Sequence, residues 1–358
     1  VGVETVDATI GGSVIAVGTD GTGQWRVDVS AQGGPVVVDG TIYVVSPQIM
    51  SPSDSSILAL DASDGSQRWR NHKIHPIVVN ITARLAVVDD VLYVADRNCV
   101  YAVDVADGSV DFAFRGTADE VFQLGPAVAD GILYVGGNKP EDGVMYALDA
   151  ADGSERWRTE LDQPIRPPAV ADGTVYVSSR GGIHALDAAD GNERWSFDQN
   201  ISTAPAVVNG TVYVGGNGTL YALSASIGSQ RWQVDCDFGS YGPPVVDDGT
   251  IYVGGGDGLY ALDAADGSEQ WRFRTEEVMY PPVVVDGRIY IGGDDGTLYA
   301  LGSRTTPTEV YTAEEDAESR SGNEDDDATA VYRPCSNCGA DLGEYGDVDF
   351  CPECGSEL

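Results

Sequence analysis

The chain has 358 residues, and 57 Asp and Glu against 20 Lys and Arg give it a formal charge of −37. That sign excludes a nucleic-acid partner, because affinity for a polyanion rests on cationic contacts. Hydrophobic residues make up 42 % of the chain, enough for a core, while 45 glycines and 17 prolines imply many turns rather than a helical bundle.

The acidity is lopsided, with 40 Asp to 17 Glu, and only Lys73 and Lys139 are lysine. This is the composition expected of a halophilic archaeon. In molar salt the Debye length falls to about 3 Å, so surface self-repulsion is largely screened. No stretch approaches the roughly 20 apolar residues of a membrane span. The first residue is Val1 rather than Met, as expected of a processed or trimmed form, and removal of a signal or anchor stays open.

From the N-terminus onward the chain repeats. The phrase Ala-x-Asp-x-x-x-Gly-x-x-x-Trp occurs at Ala59 to Trp69, Ala147 to Trp157, Ala185 to Trp195 and Ala261 to Trp271. Two copies are degraded, one with Phe112 for Trp and one with Ser224 for Asp ahead of Trp232. A shorter copy runs from Ala16 to Trp25, and a last one starts at Leu298 without reaching a Trp. Six intervals between Trp25 and Trp271 average 41 residues.

Each period reads as four short strands. Between Pro167 and Trp195 the β-rich runs are 167–170, 174–177, 183–186 and 193–195, divided by Asp172-Gly173, Ser179-Arg180-Gly181 and Ala189-Asp190-Gly191. Asp-Gly and Asn-Gly between apolar runs are hairpin signals. Four antiparallel strands per 41 residues describe the blade of an all-β propeller. The phrase Val-x-Asp/Asn-Gly-x-x-Tyr-Val marks seven blades, around Tyr43, Tyr93, Tyr134, Tyr176, Tyr213, Tyr252 and Tyr290. Seven blades follow if the segment Gln24 to Val27 completes the last one, and eight if residues 6–17 belong to an irregular blade of their own.

The Trp phrase, with Leu-Tyr-Ala-Leu before it, resembles the tryptophan-docking motif of the quinoprotein-like (PQQ-repeat) β-propellers, over residues 14–301. The resemblance implies a fold in which each Trp packs between neighbouring blades. It leaves function open between pyrroloquinoline-quinone dehydrogenases and non-catalytic scaffolds similar to the outer-membrane assembly lipoprotein. Quinone-binding members have adjacent cysteines forming a disulfide, an aromatic floor and acidic calcium ligands. Here Cys99 and Cys236 are isolated, and all six tryptophans, Trp25, Trp69, Trp157, Trp195, Trp232 and Trp271, are taken by blade positions. The expectation is therefore a non-catalytic scaffold without PQQ, with no catalytic residues assigned.

Three histidines are present. His184 stands where other repeats carry Tyr and reads as a strand substitution, whereas His72 and His75 lie in a long insertion and read as solvated loop residues. The turns within blades are monotonous, but the connections between blades and the turns between second and third strands vary. On a rigid scaffold such loops carry function. They form one face, which collects Lys73, Arg97, Arg115, Lys139, Arg166 and Arg180 with Tyr241 and Tyr280. The expected partner is a protein or peptide, of acidic or extended character, bound to a monomeric propeller.

The propeller is read as residues 1–301, followed by an acidic disordered linker, 302–334, that holds nine acidic and three basic residues. Residues 335–358 then carry Cys335-Ser336-Asn337-Cys338-Gly339 and Cys351-Pro352-Glu353-Cys354-Gly355. Two Cys-x-x-Cys-Gly knuckles twelve residues apart resemble a short zinc ribbon, with Cys335, Cys338, Cys351 and Cys354 around a structural Zn²⁺. So short a segment needs the metal to fold. It has six acidic residues and no Lys or Arg, so its expected contact is protein. Zinc thiolates favour a reducing compartment, hence a cytoplasmic expectation; export is the alternative if a signal preceded Val1. A third class, a sensor or regulatory module of a longer chain, stays open.

Overall fold

The computed structural model describes residues 5–10, 13–18, 23–29, 32–46, 56–72, 74, 85–96, 99–117, 120–122, 125–235, 242–256, 258–275, 281–285, 287–292, 297–302 and 310–312. All regular structure among them is β, in antiparallel sheets of consecutive strands. A three-stranded sheet contains β1 (Thr5–Ile10), β2 (Ser13–Gly18) and β3 (Gly23–Asp28). Seven four-stranded sheets follow. The first comprises β4 (Gln32–Val38), β5 (Thr41–Ser46), β6 (Ser56–Asp61) and β7 (Gln67–Asn71), and the second β8 (Ala86–Val88), β9 (Val91–Asp96), β10 (Cys99–Asp104) and β11 (Val110–Arg115). Next are β12 (Ala127–Ala129), β13 (Ile132–Asn138), β14 (Gly143–Asp149) and β15 (Glu155–Leu161), then β16 (Ala169–Ala171), β17 (Thr174–Ser179), β18 (Gly182–Asp187) and β19 (Glu193–Phe197). The fifth has β20 (Ala206–Val208), β21 (Thr211–Gly216), β22 (Thr219–Ser224) and β23 (Gln230–Asp235), and the sixth β24 (Val245–Asp247), β25 (Thr250–Gly255), β26 (Gly258–Asp263) and β27 (Glu269–Arg274). The seventh is β28 (Val283–Val285), β29 (Arg288–Gly292), β30 (Thr297–Gly302) and β31 (Val310–Thr312). Repeated four-stranded sheets of this kind are the blades of a propeller.

Contacts divide the chain into two compact units, residues 1–212 with 223–229, and residues 213–222 with 230–358. In both, hydrophobic clusters form between successive sheets. In the first unit, Tyr134, Met145, Ala147 and Trp157 from one sheet meet Val175, Val177 and Leu186 from the next. In the second, Tyr213, Leu220 and Ala222 meet Ile251, Val253, Tyr260 and Leu262. The second strand of a sheet is covered on both faces, as in β17, while the fourth alternates between exposed and half-buried, as in β11. Charged residues on these outer strands guard the sheet edge.

First and second strands are joined by Asp-Gly or Asn-Gly pairs. Asp172 and Gly173, at φ 48° and 67°, are typical, and two successive positive φ values define the type I′ turn that matches strand twist.

The Trp phrase acquires a mechanism from the third and fourth strands. Ala147 pairs with Trp157 but Leu148 pairs with Glu155, so Arg156 bulges out of register. The same bulge leaves Arg68, Asp111, Arg194 and Gln270 unpaired in their sheets. A bulge re-aims its side chain. Here it points the arginine at the turn carboxylate: Arg156 lies 2.7 Å from Asp149, and Arg68 and Arg194 lie 2.8 Å from Asp61 and Asp187. The other carboxylate oxygen of that Asp accepts the amide two residues on, as from Ala151 at 2.9 Å and Ala189 at 2.8 Å.

The indole in turn docks on the following sheet. Trp157 Nε1 donates to the Ala188 carbonyl at 2.9 Å, Trp195 to Ala225 at 2.9 Å and Trp232 to Ala264 at 3.3 Å. Each of these carbonyls also accepts a tyrosine hydroxyl, from Tyr134, Tyr176 and Tyr213. Beneath the indole of Trp157 lies Gly191, at φ 73°, where a Cβ would come within 2.6 Å of the ring. The phrase requires glycine there for two reasons at once, positive φ and ring contact.

Two expectations about the ends of the repeat array are corrected. Trp25 lies on β3, which pairs with β2, so it does not complete the last blade. The last sheet takes its fourth strand from Val310–Thr312, within the stretch read as acidic linker. The physical reason is local: Val, Tyr and Thr are strand formers, and pairing satisfies the open edge of β30.

The turn carboxylates make stability depend on pH. The Arg156 and Arg194 guanidiniums hold the Asp149 and Asp187 carboxyls below the usual range, and Ser63, then Arg68, do so for Asp61. A depressed folded pKa contributes stability that is complete above the ordinary Asp value of about 4 and is lost as pH falls through the lower folded value. Thermal melts of wild type and Asp149→Asn/Asp187→Asn between about pH 5 and 3 check this. The variant is expected to melt lower at the upper pH and to decline less steeply on acidification; parallel curves would contradict it.

Candidate functional site

The loops between sheets and the turns between second and third strands meet in the first unit. The connection after β11 touches the end of β13 through a single bridge, Val121 to Asn138. The connection after β15 does the same with β17 through Ile165 and Ser179. Asn138 then joins the two systems. Its side-chain amide donates to the Ile165 carbonyl at 3.0 Å, and its carbonyl oxygen accepts the Ile165 amide at 2.8 Å, so one side chain acts as a short strand would. Arg166 continues the arrangement, its amide donating to the Ser178 carbonyl at 2.8 Å. Ser178 Oγ donates to the Thr203 carbonyl at 2.6 Å, anchoring the next connection.

This scaffold places three of the expected cations in sequence: Lys139 beside Asn138, Arg166 beside Ile165, and Arg180 beside Ser179. Their electrostatics differ. Lys139 lies 3.7 Å from Glu120, which is only 2 % exposed. Glu120 Oε2 also accepts the Tyr146 hydroxyl at 2.7 Å and the Thr117 amide at 2.9 Å. Burial raises the Glu120 pKa, but the Tyr146 hydroxyl, the Thr117 donors and the Lys139 ammonium outweigh it, and the carboxyl sits below its usual range. Burial, and then the same contact with Glu120, push the Tyr146 phenol far up. Glu120 and Tyr146 are thus a fully satisfied buried pair that pins the loop. Gly116 leaves them room, since a Cβ there would lie 2.5 Å from Glu120 Oε2 and 2.6 Å from the Phe122 ring.

Arg166 is half-buried and Arg180 exposed. Burial, and then the proximity of Arg180, lower the Arg166 pKa from its usual value. The guanidinium nevertheless stays charged, as arginines do. Neither arginine has a carboxylate partner among the described residues.

Of the other expected residues, Arg115 ends β11 in an exposed position, apart from this bonded chain. Lys73, Arg97, Tyr241 and Tyr280 lie outside the described residues, as do His75, Cys236 and the four ribbon cysteines, Cys335, Cys338, Cys351 and Cys354. His72 is exposed, and His184 lies 2.7 Å from Glu193 on the surface. Cys99 is buried as a free thiol. Glu120 and Asn138 were not foreseen. Their partners lie 26 and 27 residues away. A local signal is length: the turn from Asn138 to Gly143 is longer than the turns from Ser179 to Gly182 and from Gly216 to Thr219.

A family model described as outer membrane protein assembly factor BamB matches residues 3–113, 114–240 and 217–319. The chain belongs to this family. Among curated relatives, BamB of Yersinia pestis is 27 % identical over 140 residues, covering 35 % of this chain and 34 % of that protein. The serine/threonine-protein kinase AfsK of Streptomyces griseus is 35 % identical over 162 residues, 42 % of this chain but 18 % of the kinase. The chain thus spans less than a fifth of that kinase and about a third of that BamB. Among solved structures, BamB from Moraxella catarrhalis superposes with a TM-score of 0.65 at 19 % identity, covering 82 % of this chain and 89 % of that one. A quinohemoprotein alcohol dehydrogenase from Comamonas testosteroni gives 0.63 at 14 % identity, covering 76 % and 65 %. Such likenesses show the fold, which BamB shares with enzymes. No helix among the described residues is long and apolar enough to cross a membrane.

Proposed function

We propose that this BamB-family chain is a non-catalytic scaffold, an eight-bladed propeller that binds a polypeptide through its variable loops. The eight sheets, one of them three-stranded, support that blade count. The observation that carries the reading is the bonded chain Asn138, Ile165, Ser179, which makes one rigid platform from loops of two blades and sets Lys139, Arg166 and Arg180 along it. Rigid loops lower the entropic cost of binding. A photo-crosslinking amino acid placed at exposed Glu141, in the β13–β14 turn, is expected to trap a partner from the native cell extract, whereas one at Asp172, in the β16–β17 turn, is not. Equal trapping at both, or none at Glu141, would contradict the reading.

A second reading, a sensor module of a longer chain, is favoured by the 35 % identity to a segment of a serine/threonine-protein kinase. The platform would then be its ligand face.

The acidic tether carries the ribbon as a separate protein-contacting element in a reducing, cytoplasmic setting. Its donor set, four cysteines in two Cys-x-x-Cys pairs, suits tetrahedral Zn²⁺ and leaves no ligand position open, so the metal's role is structural. Elemental analysis is expected to find about one zinc per chain, lost on Cys351→Ser. A tail that holds no zinc yet resists proteolysis would refute it.

A further inference from the structure

We propose that Arg166 and Arg180 together form a binding site for the carboxylate side chains of an acidic polypeptide segment. This rests on the scaffold reading and names the chemistry of its ligand.

Of the other described arginines in the same unit, five are matched, while Arg70 and Arg115 are exposed on outer strands with no ion pair among the described residues. Arg26 pairs with Asp28, Arg68 with Asp61, Arg156 with Asp149, Arg158 with Glu155 and Arg194 with Asp187. In a chain with 57 acidic residues, a matched arginine is the expected state. Arg166 and Arg180 depart from it, since the charged group acting on Arg166 is the second guanidinium. Two like charges brought together, one of them half-buried, are unfavourable until an anion joins them. Nothing local forces the juxtaposition except the backbone that creates it: the bridge between Ile165 and Ser179 and the bond from the Arg166 amide to the Ser178 carbonyl. That backbone is held on both sides, by Asn138 at Ile165 and by Ser178 Oγ at Thr203. The Gly181 amide donates to Ser179 Oγ at 3.1 Å, shaping the turn that carries Arg180.

The guanidinium fork matches a carboxylate in two-point geometry, and charge-assisted bonds of that kind are the strong ones. Lys139 adds little free charge, because Glu120 neutralises it. A row running from Lys139 past Ile165 to Arg180 spans two adjacent sheets, which suits an extended segment with successive acidic side chains better than a single small anion. Such a ligand approaches against a net charge of −37, so discrimination comes from contact rather than long-range steering.

The test is fluorescence anisotropy of the full chain with a labelled oligoglutamate peptide at about 0.1 M salt, where the Debye length of ~10 Å confines the field of the remaining acidic surface. Arg166→Gln and Arg180→Gln are each expected to weaken binding about tenfold or more. Arg166→Lys should recover part of the loss, and Arg158→Gln, an equal charge change elsewhere, should leave affinity unchanged. Unaltered thermal melts establish that the variants fold. Wild-type affinity in the double variant, or saturation by inorganic phosphate without any peptide binding, would overturn the proposal. The double variant also separates the two readings. If it still traps the Glu141 partner but no longer binds peptide, the scaffold stands and acidic-segment recognition stands with it; if it traps the partner and keeps the peptide, only the arginine site falls.

Discussion

One contact recurs through the molecule and the rest depends on it: an indole from the fourth strand of one sheet seated on a left-handed glycine of the next, its Nε1 donating to a backbone carbonyl there. Between Trp157 and Ala188 the bond is 2.9 Å, and the ring covers Gly191. Sheets whose apolar faces meet only through interchangeable Val, Leu and Ala side chains could slide against one another at small cost. The indole sets the register, because a ring, a donor and a glycine must coincide. The bulge that aims the Trp also releases the preceding Arg to the turn Asp, so turn and dock are built by one irregularity. The copy carrying Phe112 shows the coupling from its failure. Its bulged residue is Asp111, which cannot pair with Asp104, and among the described residues the Ala150 carbonyl accepts the Tyr93 hydroxyl, at 3.0 Å, with no indole beside it.

These locks were legible in the sequence because every part of them is local. Asp, Gly, Arg and Trp fall within eleven residues, and the Asp-Gly turns within two. The platform was legible only in outline. Variable loops identified the face and its cations, but what joins Lys139, Arg166 and Arg180 is a side chain, Asn138, bonded to a residue 27 positions on. No periodic pattern carries such a contact. The buried Glu120 was hidden for the same reason: an acidic residue in an acidic chain reads as surface, and its burial depends on Tyr146 from another strand. At the ends of the array, the period predicted one shared sheet where the chain forms two. Three strand-forming residues, Val310–Thr312, sit in an acidic stretch whose composition masked them.

Charge thus has two functions here. Most carboxylates of the repeats are structural or neutral background; the turn aspartates accept amides and hold arginines, and they are why so acidic a surface coexists with ordered turns. Three of the arginines, Arg68, Arg156 and Arg194, are spent on those turns. Arg166 and Arg180 are not, and their placement on a platform fixed by backbone bonds links the fold to the proposed binding.

If the indole dock holds neighbouring sheets together, restoring the lock where it is degraded stabilises the fold. Phe112→Trp supplies the missing donor opposite Ala150, whose carbonyl has a second lone pair free for it, as Ala188 serves both Trp157 and Tyr134. Denaturant unfolding is predicted to show Phe112→Trp more stable than wild type by about 0.5–1.5 kcal/mol, the usual net value of one hydrogen bond. A variant that folds normally but is no more stable than wild type would contradict the claim.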